Sequence, residues 1–134
     1  MRTDSSNEAP PPQVWPTLRA RDARALIRFL VDAFGFEQQA AHEGDDGSLR
    51  YVELRLLGAP LGLSPHVAGS MFDTGPAVVY ISLDDVDATY ARAVAAGGDV
   101  LMAPTDQDYG SRDFVVRDPE GNVWCFGTFT PGSS

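Results

Sequence analysis

The chain repeats itself at a fixed distance, and that repeat limits the folds open to it. Asp22 and Asp85 each precede a helical stretch and stand 63 positions apart. The same offset lays Ala25 on Ala88, Gly35 on Gly98, Val52 on Val115 and Gly58 on Gly121. A single register across a strand, a helix and two turns predicts one supersecondary unit present twice.

The local patterns fill in that unit. Val14 to Ala20 reads as a strand, and Asp22 as the N-cap of a helix from Ala23 to Phe34. Leu26, Phe29, Leu30 and Ala33 share one face of that helix, and Gly35 ends it. Phe36 to His42 follows as a strand, then the turn Gly44-Asp45-Asp46-Gly47. From Leu49 to Leu57 the residues alternate, with Val52, Leu54 and Leu56 on one face and Tyr51, Glu53 and Arg55 on the other. A short strand through Leu61 and Leu63 completes the first copy, and residues 66–75 form a linker.

The second copy runs in the same order. Ala77 to Leu83 is a strand, and Val86 to Ala96 a helix with Ala91, Val94 and Ala95 toward the core. A short strand from Val100 to Ala103 and another from Arg112 to Arg117 follow. Asp118-Pro119-Glu120-Gly121 has type I turn residues, and Val123 to Phe129 is the last strand. The prediction is an α+β domain over 13–130, made of two tandem βαβββ modules at 13–65 and 76–129. Residues 1–12 read as a disordered tail and 131–134 as a frayed end.

Composition excludes several functions. The net charge is −9 with no basic stripe, which argues against nucleic acid as a partner. No apolar run is long enough to span a bilayer, and no signal pattern opens the chain, so the expected location is the cytoplasm. All ten basic residues are arginine, which removes lysine from any mechanism and points to a GC-rich bacterial genome. The single Cys125 rules out an internal disulfide.

Several segments resemble the glyoxalase, bleomycin-resistance and dioxygenase superfamily, the vicinal oxygen chelate proteins. They are Leu18-Arg19-Ala20-Arg21-Asp22-Ala23, Ala33-Phe34-Gly35-Phe36, Asp84-Asp85-Val86-Asp87-Ala88 and Ala96-Gly97-Gly98. The most specific is Asp118-Pro119-Glu120-Gly121-Asn122-Val123-Trp124. The resemblance implies paired modules whose curved mixed sheets form a cup, and a homodimer with its ligand site at or near the interface. It also implies four metal-ligand positions, on the first and last strand of each module. In this sequence those positions hold Trp15, Gly62, Val78 and Cys125, of which only the thiol of Cys125 can coordinate. No metal or other cofactor is therefore expected. His42 and His66 read as exposed loop histidines, and Asp106 and Asp108 as solvated loop carboxylates.

Alternation from those positions assigns the cup face. Trp15, Thr17, Arg19, Tyr51, Glu53, Arg55, Gly62, Tyr80, Phe114 and Cys125 are the predicted ligand-binding residues. Pro60, Ser64, Ser82, Val116, Val123, Gly127 and Phe129 share the face, while Val115, Trp124 and Phe126 are assigned to the helix side. An aromatic lining suits a small aromatic or amphipathic molecule, held by stacking and by the polar ends of Arg19, Arg55 and Glu53. The expected function is metal-independent sequestration of such a molecule, of the antibiotic-resistance type. The alternative is a lyase, isomerase or dioxygenase-type enzyme with no metal or unusual ligands, with Glu53 as base and Arg19 or Arg55 stabilising an anion. Cys125 is expected to be an inert thiol.

Overall fold

A computed structural model describes residues 11–129. The first ten residues of the predicted tail and the predicted frayed end lie outside them. The element order is β1 (Thr17–Ala20), α1 (Ala23–Phe34), β2 (Glu37–Glu43), β3 (Leu49–Leu56), β4 (Ala59–Pro65), β5 (Val78–Ser82), α2 (Val86–Ala95), β6 (Asp99–Asp106), β7 (Arg112–Arg117) and β8 (Val123–Gly127). This is βαβββ twice. Each module forms one four-stranded mixed sheet, ordered β1-β4-β3-β2 and β5-β8-β7-β6. The first strand of each runs parallel to the last, and the other neighbours are antiparallel.

The caps behave as their residues dictate. Asp22 accepts from the N–H of Ala25 at 3.1 Å, and Asp85 from that of Ala88 at 3.0 Å. Gly35 ends α1 at φ +86°, where its N–H reaches the carbonyl of Val31 and that of Phe36 reaches Leu30.

One apolar core lies on the helix side of both sheets. Leu26, Phe29, Leu30, Ala33 and Phe34 of α1 are buried against Leu18, Val52, Leu54, Leu61 and Leu63 of the first sheet and Trp124 and Phe126 of the second. Phe34 joins the modules, its ring centroid 5.2 Å from Trp124 and 4.6 Å from Phe126. Arg92 of α2 reaches across to the carbonyls of Asp32 and Val31.

The helix face predicted for α2 is corrected. Ala91, Val94 and Ala95 are exposed, while Val86 and Ala93 are buried and Tyr90 packs edge-on against Phe114 at 5.5 Å. With alanine on every side, the apolar pattern does not choose a face. The bulk of Tyr90 does.

The uniform repeat is also corrected. The helix-ending glycine in the second module is Gly97, at φ +87°, so Gly35 matches Gly97 and not Gly98. α2, with 10 residues against 12 in α1, stops two positions early, and Ala96 restores one of them before Gly97. The displaced register persists through β7 and is undone in the last hairpin. Leu57 and Gly58 make a two-residue turn, both at positive φ, between β3 and β4. Between β7 and β8, Asp118 N–H donates to the carbonyl of Asn122 and closes a loop of three, with Gly121 at φ +90°. Gly58 and Gly121 therefore still correspond.

A one-residue change in register turns every side chain of a strand over. Phe114 pairs with Phe126 and Val115 with Cys125. Phe114 and Val116 are fully buried in the core, and Val115 lies on the other face. The prediction that Phe114 and Val116 line the cup is thus overturned, as is the assignment of Val115 to the helix side. Phe114 is instead stacked on Phe126, with centroids 4.8 Å apart.

Candidate functional site

The faces turned away from the helices are built row by row. In the first module Thr17, Gly62 and Glu53 stand side by side across β1, β4 and β3, with Arg19 beside Ser64 and Arg55 beside Pro60 in the neighbouring rows. In the second module Tyr80, Cys125 and Val115 form the corresponding row. Eight of the ten predicted ligand-binding residues occupy strand positions on this side. Trp15 precedes β1 in irregular chain and is 45 % exposed. Phe114 lies in the core, as described above.

Gly62 has a physical reason to be glycine. A Cβ there would stand 2.7 Å from the Tyr51 hydroxyl and 2.7 Å from Thr17 Oγ1, so Tyr51 lies across β4 only because this position is bare. Gly127 plays the same part in the second module, beneath Tyr80 and Asp113. Glu53 is held by Arg55 Nε at 2.8 Å.

A buried carboxylate sits on this face that the sequence pattern did not mark. Asp113 pairs with Gly127 across β7 and β8 and is only 6 % exposed. Tyr109 donates to its Oδ2 at 2.5 Å, Ser111 to its Oδ1 at 2.5 Å and Tyr80 to its Oδ1 at 3.4 Å. This bond pushes the Tyr109 phenol up to about 12. Burial, with help from Asp113, raises the Cys125 thiol, so it stays protonated at neutral pH and is a poor nucleophile. Phe129 stands edge-on to both Tyr80 and Tyr109. The only sequence signal for this cluster was an acid in an alternating strand, which reads as a solvated side chain.

An apolar cavity of about 270 Å³ lies along the seam of the two modules. The β3–β4 hairpin end contributes Leu57 and Pro60, and edge strand β5 contributes Val79, Tyr80 and Ser82, over the indole of Trp124. The linker folds back over the first module, where Arg19 stands 5.0 Å from the ring centre of Phe72. His66 is not the free loop side chain expected of it: its Nε2 lies 2.5 Å from Asp73 Oδ1. Asp106 is solvated, as expected, and its exposed carboxylate pairs with Arg112 at 3.0 Å.

A family model for the glyoxalase/bleomycin resistance protein/dioxygenase superfamily matches residues 13–126. The chain belongs to that superfamily. An uncharacterized protein of Mycobacterium bovis is 36 % identical over 125 residues, covering 87 % of this chain and 82 % of its own. A protein named putative glyoxylase, from the same organism, is 41 % identical over 64 residues, which span 44 % of this chain and 24 % of that one. The crystal structure of TioX from Micromonospora sp. ML1 matches with a TM-score of 0.72 and 27 % identity, over 87 % of this chain and 97 % of TioX.

Metal-using members of the superfamily would hold their ion at Trp15, Gly62, Val78 and Cys125, and these residues do not fit one. Trp15 and Val78 offer no donor atom, Gly62 has no side chain, and a single protonated thiol is not a coordination set. Among the described residues, no three His, Cys, Asp or Glu side chains are grouped to hold a metal elsewhere. Among those residues, too, no helix is long and apolar enough to cross a membrane.

Proposed function

We propose that this superfamily member binds a small aromatic or amphipathic molecule without a metal ion, sequestering it in the cytoplasm as a drug-resistance protein does. The observation that carries this reading is the apolar seam cavity of about 270 Å³ beside the half-exposed ring of Tyr80. Its walls supply leucine, proline, valine and indole surface, with Ser82 among the few polar neighbours, which is the composition of a pocket for a planar organic body. In this proposal Trp15, Thr17, Tyr51, Gly62 and Cys125 add further ligand surface outside the cavity.

The proposed assembly is a homodimer. Val78 is 74 % exposed on edge strand β5, and Met71 and Phe72 of the linker are exposed as well. A second copy would cover these side chains and close the cup faces.

The enzymatic alternative has less support. Its candidate base, Glu53, is already engaged by Arg55.

Calorimetric titration against a panel of aromatic antibiotics tests the reading, with sedimentation analysis for the dimer. Saturable binding is expected, and Tyr80→Ala should weaken it about two- to tenfold. No binding across the panel, and no gain of resistance in an expressing host, would overturn it.

A further inference from the structure

The protein carries 19 carboxylates against ten arginines, yet several of the described arginines have no carboxylate partner. Arg24, Arg55, Arg112 and Arg117 are paired with acids, and Arg92 donates to backbone carbonyls. Among the described residues, Arg19, Arg21, Arg28 and Arg50 make no such pair.

Three of these four converge. Arg19 borders a cavity of about 220 Å³ shared with Arg21 and His66. It borders a second of about 270 Å³, under the linker, walled by Thr17, Ser64, Phe72 and Thr74. A third, of about 350 Å³, joins it to Arg50.

Two acids share the first cavity, and both are occupied within the protein. Glu120 accepts from the backbone N–H groups of Arg21 and Asp22 at 3.0 and 2.9 Å. Asp73 accepts from the N–H of Gly69 at 2.8 Å and faces His66 Nε2 with its other oxygen. Neither acid forms an ion pair with Arg19 or Arg21, although the charge of Arg21 acts on Asp73, and no acid lines the cavity under the linker. The hydroxyls of Thr17, Ser64 and Thr74 make no hydrogen bond to another described residue. Phe72 covers one face of the Arg19 guanidinium and leaves its N–H edges for a ligand.

We propose that the cavity under the linker is an anion-recognition site for a small organic acid. Arg19 receives the carboxylate through two parallel N–H bonds, a geometry that guanidinium is shaped for, and the hydroxyls of Ser64 and Thr17 complete its shell. Phe72 flanks the organic part. None of these residues lines the seam cavity, and only Thr17 is shared with the surface proposed above, so the site goes beyond that function and its test at Arg19 is separate from the one at Tyr80.

The test compares 2-naphthoate with its neutral isostere 2-naphthamide by titration calorimetry on the full chain. The acid should bind at least about tenfold more tightly, and rising salt should weaken the acid alone. Arg19→Gln should bring acid and amide to parity. Arg19→Lys should retain part of the preference, and Arg28→Gln, whose target lines none of the three cavities, should retain all of it. Thermal melts establish that each variant is folded. If Arg19→Gln fails to fold, Arg19→Lys and the salt dependence decide. Equal affinities in the parent protein would overturn the proposal. So would a preference that survives Arg19→Gln, one lost equally in Arg28→Gln, or no binding of the acid.

Discussion

The indole Nε1 of Trp124 donates to Oδ2 of Asp118 at 2.8 Å, and both side chains are buried. Asp118 also accepts from Asn122 Nδ2 at 2.9 Å and from the backbone N–H groups of Glu120 and Asn122 at 2.8 and 3.0 Å. One carboxylate thus closes the last turn and fixes the ring on which Phe34 and Phe36 of the other module rest. Removing it leaves two buried side-chain donors without a partner. Asp118→Ala is expected to destabilise the protein by about 3 kcal/mol, read from the midpoint shift in urea unfolding. A loss below about 1 kcal/mol would mean that water takes over the acceptor role.

Glu120, in the same turn, crosses to the first module and holds the backbone at Arg21 and Asp22, where α1 begins. These bonds are charge-assisted but lie near the surface, which limits their worth. Glu120→Ala should cost about 1 kcal/mol in the same unfolding experiment. Faster amide exchange at Arg21 and Asp22 is the specific sign that the inter-module clamp, and not the turn alone, has been lost.

Tyr109 provides a pH signature. Its phenol is raised from 10.0 to about 12, chiefly by the bond to Asp113, with burial and the charge of Asp113 adding to it. The interaction favours the neutral phenol, so its contribution is complete below about pH 10 and is lost as pH rises through about 12. Absorbance near 295 nm should show one phenol ionising near pH 12 in the parent protein. Asp113→Asn should bring that step down toward 10. An unchanged titration in the variant would show that Asp113 is not the cause.

Where the sequence pattern succeeded, the deciding forces were local. The alternation of β3 and the tight Leu57-Gly58 turn keep Tyr51, Glu53 and Arg55 opposite Val52 and Leu54, as expected. Asp22, Asp85 and Gly35 cap their helices as their chemistry requires. The failures depended on distant partners. Phe114 went to the core because two small length changes shifted β7, and neither change disturbs the hydrophobic pattern of the strand itself. Asp113 looked like a surface acid until Tyr109, Ser111 and Tyr80 closed around it. Phe72 is an apolar residue of the linker, and no pattern along the chain shows that it settles on Arg19.

The sequence by itself determined that this protein is two βαβββ modules, where its helices are capped, and that the superfamily's metal positions carry Trp15, Gly62, Val78 and Cys125. These follow from residue identity and from patterns repeated along the chain. Only the tertiary structure decided which side of β7 faces the helices, that a seam cavity opens beside Tyr80, and that Arg19 comes to lie against Phe72 of the linker. A strand's side chains alternate every residue, so its face depends on the full count of residues through each hairpin. A cavity depends on side chains that meet only once the chain has closed on itself.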